Sequence, residues 1–171
     1  MKEYNYSQNG MYFITICAKD RKHSFGEIIN QKMMMSAIGK ITQQFWLEIP
    51  RHFPFITLDE YQIMPDHLHG IVEISCKWIG NVETQQCCVS KSNTFYQLEP
   101  GSLPVIIRSF KSIVAKTIGS KFPDVKFNWQ PRFYDRIIRN ETELNKIREY
   151  IQNNPKMWEQ NIDDTGNIII S

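Results

Sequence analysis

The sequence predicts an α+β domain: a ferredoxin-like βαββαβ antiparallel sheet with helices on it and an extra C-terminal helix that carries a tyrosine. Three observations predict it. Strand-like runs and helical apolar periods alternate in the order strand, helix, strand, strand, helix, strand, helix. Only Pro65-Asp66 separates the second and third strands, too short a link for a parallel crossover, so those strands form an antiparallel hairpin. The chain has 171 residues, which suits a single domain, 1–171, with one core.

Each element has its own local reason. Residues 11–18, Met-Tyr-Phe-Ile-Thr-Ile-Cys-Ala, follow the turn signal Gly10 and are rich in β-branched and aromatic side chains, as a buried strand is. Over 36–49, Ile38, Ile41, Phe45 and Ile49 recur at helical spacing, and Pro50 is expected to end that helix. Residues 55–64 read as a strand whose alternation falters at Asp59 and Glu60. Residues 67–75 read as the next strand, with Leu68, Val72 and Ile74 toward the core. The span 77–102 has no clear period and reads as a long, mobile loop.

Pro104 suits the first turn of a helix running to about Ile118, with Ile106, Phe110, Ile113 and Val114 inward and Gly119 and Pro123 beyond its end. A strand over 128–138 follows. Asn140 and Glu143 have the spacing of a capping box. The helix they start runs through Leu144, Ile147, Tyr150 and Ile151, and is expected to stop at Asn154-Pro155. The tail, 159–171, is polar until Ile168-Ile169-Ile170.

Composition excludes some classes. No apolar run approaches the ~20 residues that span a bilayer, and the first six residues lack a signal peptide's apolar stretch. A cytoplasmic location with no membrane partner is therefore expected. Cys17, Cys76, Cys87 and Cys88 contain no Cys-x-x-Cys pair and read as reduced thiols rather than a zinc site. The net charge is only +2, but between 103 and 139 eight lysines and arginines face Asp124 and Asp135 alone. Such a stretch can neutralise several phosphates, and it reads equally as a solvated helix face.

The most informative motif is Asp66-His67-Leu68-His69. Side chains alternate along a strand, so His67 and His69 project to one side and Leu68 to the other. Two imidazoles on one face can hold a divalent metal, although two histidines in a strand also arise without function. Asp66 and Glu73 are nearby carboxylates, and Glu73 shares the histidines' face as a possible outer partner.

On the last helix, Tyr150 and Asn154 are four apart and share a stripe. A phenol is mostly protonated at neutral pH, and a nearby dication favours the phenolate. Attack on a phosphodiester would then give a covalent phosphotyrosine, which keeps the bond energy for rejoining. Asn154 could lend a carbonyl oxygen as a third ligand. Two nitrogens and an oxygen suit Mg²⁺ or Mn²⁺, while imidazole also suits zinc. Taken singly, the tyrosine reads as a packed helix residue and the asparagine as a helix stop.

Three blocks in order carry a family resemblance: Met64-Pro65-Asp66-His67-Leu68-His69-Gly70-Ile71-Val72, then Trp129-Gln130-Pro131-Arg132-Phe133-Tyr134-Asp135-Arg136-Ile137-Ile138-Arg139-Asn140, then Glu149-Tyr150-Ile151-Gln152-Asn153-Asn154-Pro155. The first resembles the His-hydrophobic-His (HUH) motif of single-strand DNA transposases of the tyrosine type. The other two are similar to the REP-associated tyrosine transposase branch. The resemblance covers roughly residues 8–158.

It implies a metal site at His67 and His69, completed by Asn154 where mobile-element members often have glutamine, and a nucleophile at Tyr150. It also implies single-stranded DNA with hairpins or palindromes as partner, a 5′-phosphotyrosine intermediate and a free 3′-hydroxyl. Arg108, Lys111, Arg132 and Arg136 are candidate DNA contacts, and Trp129, Phe133 and Tyr134 could stack on unpaired bases or belong to the core. The alternatives to strand transfer are a non-catalytic hairpin-DNA-binding protein and a hydrolytic nuclease. Monomer and homodimer, with the tyrosine acting in its own chain or in a partner's site, both stay open.

Overall fold

A computed structural model describes residues 9–75 and 102–158. The expected tail over 159–171, and all of the expected loop over 77–102 but Ser102, lie outside the described residues. The elements are β1 (Gly10–Cys17), a 3-10 turn (Lys19–Arg21), β2 (Gly26–Ile29), β3 (Lys32–Met35), α1 (Ala37–Leu47), α2 (Ile49–His52), β4 (Ile56–Ile63), β5 (His67–Ile74), α3 (Leu103–Lys121), β6 (Tyr134–Ile138) and α4 (Glu141–Met157).

Four strands form one sheet in the order β4-β5-β1-β6, every neighbour antiparallel. This is the ferredoxin-like order, with α1 and α3 as the two crossover helices. Both sheet faces are covered, which is why β1 is apolar on both sides. Tyr12, Ile14 and Ile16 of β1 and Leu68, Val72 and Ile74 of β5 join Trp46 of α1 and Ile106, Phe110 and Val114 of α3 in the main core. Met11, Phe13 and Ile71 face the other way, onto Ile138 and Leu144, Ile147 and Ile151 of α4. Gly70 sits where β5 passes closest to the main core, and a Cβ there would overlap the Trp46 ring.

Several boundaries differ from the sequence reading. β2 and β3 form a separate hairpin inside the first crossover, which no periodicity announced. Its turn places Asn30 and Gln31 at φ 52° and 60°, the left-handed pair of a two-residue hairpin. Pro50 does not stop the chain's helical course; it lies in the first turn of α2, where its missing N–H costs nothing. The strand expected over 128–138 begins only at Tyr134, because Pro131 cannot donate to a ladder; Trp129 makes an isolated bridge to Ala18. Ile113, expected inward, is 41% exposed.

Helix α4 runs through Pro155 to Met157 rather than stopping before it. Asn154, Pro155 and Trp158 are all buried, so tertiary packing overrides the local stop signal. The forward half of the capping box forms, with Asn140 Oδ1 accepting from the Glu143 amide at 2.8 Å, while Glu143 reaches one residue beyond the cap, to the Arg139 amide at 3.0 Å.

The faltering alternation at Asp59-Glu60 is a β-bulge: Leu58 pairs Val72 and Tyr61 pairs Gly70, leaving one extra residue on β4. The bulge brings Asp59 to α4. Arg148 Nε donates to Oδ1 at 2.8 Å and Nη2 to Oδ2 at 2.7 Å. This guanidinium holds the Asp59 carboxyl below its ordinary value near 4. A depressed carboxylate adds stability above that value and loses it as pH falls through the lower, folded one. Asp59→Asn is therefore expected to be less stable at neutral pH. Its urea midpoint should also change less than the wild type's between about pH 5 and pH 2. Equal acid sensitivity in the two proteins would show that the pair does not latch α4.

Candidate active site

β5 is an inner strand of the sheet, and its odd residues face α4. His67 and His69 therefore emerge beneath that helix, 5% and 6% exposed. The register sets their neighbours: Cys17 lies opposite His67 and Thr15 opposite His69 on β1, with Gln62 opposite His69 on β4. The two Nε2 atoms face each other at 2.9 Å. His67 Nδ1 donates to Asp66 Oδ1 at 2.5 Å, and Asp66 is fully buried. His69 Nδ1 lies 2.8 Å from the Thr15 hydroxyl. Phe13 stacks on the His69 ring, centroids 5.3 Å apart.

Helix α4 lays one stripe across this pair. Tyr150 Oη comes within 3.4 Å of His69 Nε2, and the Trp158 ring lies 5.9 Å from the His67 ring. Asn154, four residues from each, stands between them on the stripe. The tyrosine thus reaches histidines of its own chain.

The residues fit a divalent metal. A carboxylate only accepts, so Asp66 puts the His67 proton on Nδ1 and leaves the Nε2 lone pair toward His69. Burial, then the charges of His67 and Arg21, push the His69 imidazole well below its ordinary value, so it is held in the neutral, ligating form. The Thr15 hydroxyl can donate to His69 Nδ1 or accept from it, and so serves either tautomer. Asn154 is 7% exposed, and its Nδ2 has no partner among the described residues. A half-turn of this amide exchanges nitrogen for oxygen and offers a third ligand. Among the described residues, no group of three or more His, Cys, Asp or Glu side chains could hold a metal ion, so a third ligand at this pair has to come from another residue type.

The structure divides the other candidates. Lys111 has its ammonium on the carbonyls of Gln130, Pro131 (3.3 Å) and Arg132 (3.4 Å), which uses all three of its protons. It clamps the segment before β6. Arg108 is exposed on α3, in the layer behind the sheet from the histidines. Arg132 is exposed before β6. Arg136 lies opposite Phe13 on the histidines' face, and its guanidinium is 2.6 Å from Glu143.

Of the three aromatic candidates, Trp129 packs with Phe25, Phe110 and Phe127, and Phe133 packs against the main core. Tyr134 is 68% exposed and lies opposite Thr15. Glu73 is not a partner of the histidines: it sits four residues beyond His69, roughly 13 Å along the strand. Asp66 is the carboxylate that holds the pair.

Sequence reasoning missed Thr15, Phe13 and Arg21, because their proximity depends on strand register and loop path.

Comparison with known proteins finds relatives in sequence and in fold. An uncharacterized protein of Haemophilus influenzae is 41% identical over 169 residues, covering 94% of this chain and 88% of that protein. A second Haemophilus influenzae protein, assigned as a REP-associated tyrosine transposase, is 26% identical over 152 residues, covering 88% of this chain and 73% of that protein. The chain is thus similar to a REP-associated tyrosine transposase over most of its length. A solved REP-associated tyrosine transposase bound to a REP hairpin has the same fold, with a TM-score of 0.59 at 17% identity over the full length of both chains. No family model matches the chain. Among the described residues, no helix is long and apolar enough to cross a membrane.

Proposed function

We propose that the protein cleaves and rejoins single-stranded DNA at hairpin-associated sites, with Tyr150 as nucleophile and His67, His69 and Asn154 holding Mg²⁺ or Mn²⁺. The observation that carries this reading is the approach of Tyr150 Oη to His69 Nε2, 3.4 Å, where the two imidazoles face each other. The REP hairpin held by the structural neighbour supports hairpin DNA as the substrate class.

In the proposed reaction, Tyr150 Oη attacks the phosphorus and forms a P–O bond to the tyrosine. The P–O3′ bond breaks, and the 3′ oxygen leaves as a free hydroxyl with the phosphate retained on the 5′ strand. Tyr150 is 53% exposed, so its phenolic proton can leave to water. A divalent cation, when bound, supplies positive charge for the phosphate oxygens. Rejoining reverses these steps with an incoming 3′-hydroxyl. A cleft at the start of α4, lined by Arg136, Arg139, Asn140, Glu143 and Lys146, begins about 6 Å along the helix from Tyr150, and its cations suit the hairpin's backbone.

The test is a denaturing gel of end-labelled hairpin DNA with the protein and Mn²⁺. A retarded covalent band that disappears with EDTA is expected. Binding without cleavage would make this a hairpin-binding protein, and cleavage without an adduct would make it a hydrolytic nuclease.

A further inference from the structure

We infer that Arg21 is a positioning residue of the histidine pair, acting through Asp66 to fix the orientation and tautomer of His67; the inference rests on the metal site proposed above. Its guanidinium touches both neighbours of His67. Nε lies 2.9 Å from Asp66 Oδ2, while Nη1 donates to the sulfur of Cys17, the residue opposite His67, at 3.1 Å. Asp66 thus has one oxygen on His67 and the other on Arg21, with no exposure of its own.

A buried carboxylate with a single imidazole partner keeps freedom to rotate, and its charge is half-compensated. With the guanidinium beside its second oxygen, an ion pair at 2.9 Å with no hydrogen bond to that oxygen among the described residues, the carboxylate's charge is balanced and the orientation that keeps Oδ2 on the guanidinium is favoured. The His67 Nδ1–H bond then has one direction, and Nε2 stays turned to His69. Outer partners of this kind orient ligating histidines generally.

The backbone is shaped to deliver this side chain. Asp20 and Arg21 both adopt the left-handed region, φ 56° and 51°, which non-glycine residues rarely enter in succession. Such strain persists only where the surroundings enforce it. Here the Ala18 amide donates to the Asp66 carbonyl at 2.8 Å and the Phe25 amide to the Pro65 carbonyl at 2.9 Å. The Arg21 loop is therefore laced at both ends to the turn that begins the histidine strand. Arg21 is itself one-third exposed, so removing it empties no core.

Two readouts separate positioning from mere support: the His67 tautomer in the metal-free protein, read by long-range ¹H–¹⁵N NMR of the imidazole, and Mn²⁺ affinity by EPR titration. The wild type should show His67 protonated at Nδ1 alone. Arg21→Gln should show mixed tautomers and bind Mn²⁺ about tenfold more weakly. Arg21→Lys, which restores the charge but not the fork, should fall between, and it carries the test if Arg21→Gln does not fold. A variant with the wild-type tautomer and affinity, whatever its melting temperature, would overturn the inference. A wild type that binds no Mn²⁺ at the pair would defeat the proposed function instead, and the tautomer comparison would still judge Arg21.

Discussion

Tyr150→Phe is expected to abolish the covalent protein–DNA adduct and to leave hairpin binding nearly unchanged. The reason lies in what the substitution keeps. The Tyr150 ring stands edge-on to Phe13 at 6.1 Å and 5.4 Å from the His69 ring, and a phenylalanine makes both contacts. Helix α4 is seated by Leu144, Ile147 and Ile151, none of which moves. Only Oη is lost, the atom proposed to bond to phosphorus. DNA affinity comes mainly from cationic contacts to phosphates, which the substitution does not touch. Gel-shift binding and the denaturing-gel adduct should therefore separate. An adduct that survives in Tyr150→Phe would remove Tyr150 from the chemistry.

His69→Ala should be nearly as severe, through the proposed metal. Changing an outer partner of a ligating histidine typically costs 10–100-fold in metal affinity, so deleting a ligand should cost at least ~100-fold. His69 also carries the approach of Tyr150 and the stacking of Phe13. Loss of Mn²⁺ binding by EPR titration and loss of cleavage should appear together. Undiminished Mn²⁺ affinity in this variant would place the cation elsewhere.

Much of the fold was legible because local and tertiary preferences agree. β1 and β5 are β-rich runs that end up inside the sheet, and Asn140 caps α4 as its spacing predicts. The Asp59-Glu60 irregularity was visible in the sequence, but its meaning was not, since a bulge shows itself only against the partner strand. The β2–β3 hairpin escaped because Met33, Met34 and Met35 are weak strand formers and Gln31 stands where hairpin turns favour glycine. Pro155 misled because burial, not propensity, decides the end of α4.

In the candidate site, the spacing of His67, His69, Tyr150 and Asn154 could be read directly, being periodicity within single elements. Thr15 and Arg21 could not, because they arrive by cross-strand register and by an irregular loop. Lys111 had the right charge, and only the structure shows that charge already engaged with backbone carbonyls.

The unequal covering of the two sheet faces gives the site two tiers of protection against opening. The histidines belong to an inner strand laddered on both sides and backed by the large core beneath α1 and α3. Tyr150 rides on a single helix held by a far smaller apolar cluster and by the Asp59–Arg148 and Arg136–Glu143 pairs. Excursions that lift α4 away cost less than those that break β5, so amide hydrogens should exchange sooner in α4 than at His67 and His69. The half that would carry a covalently attached strand is therefore the half free to swing, and it takes Asn154 with it, while the two histidines keep their places.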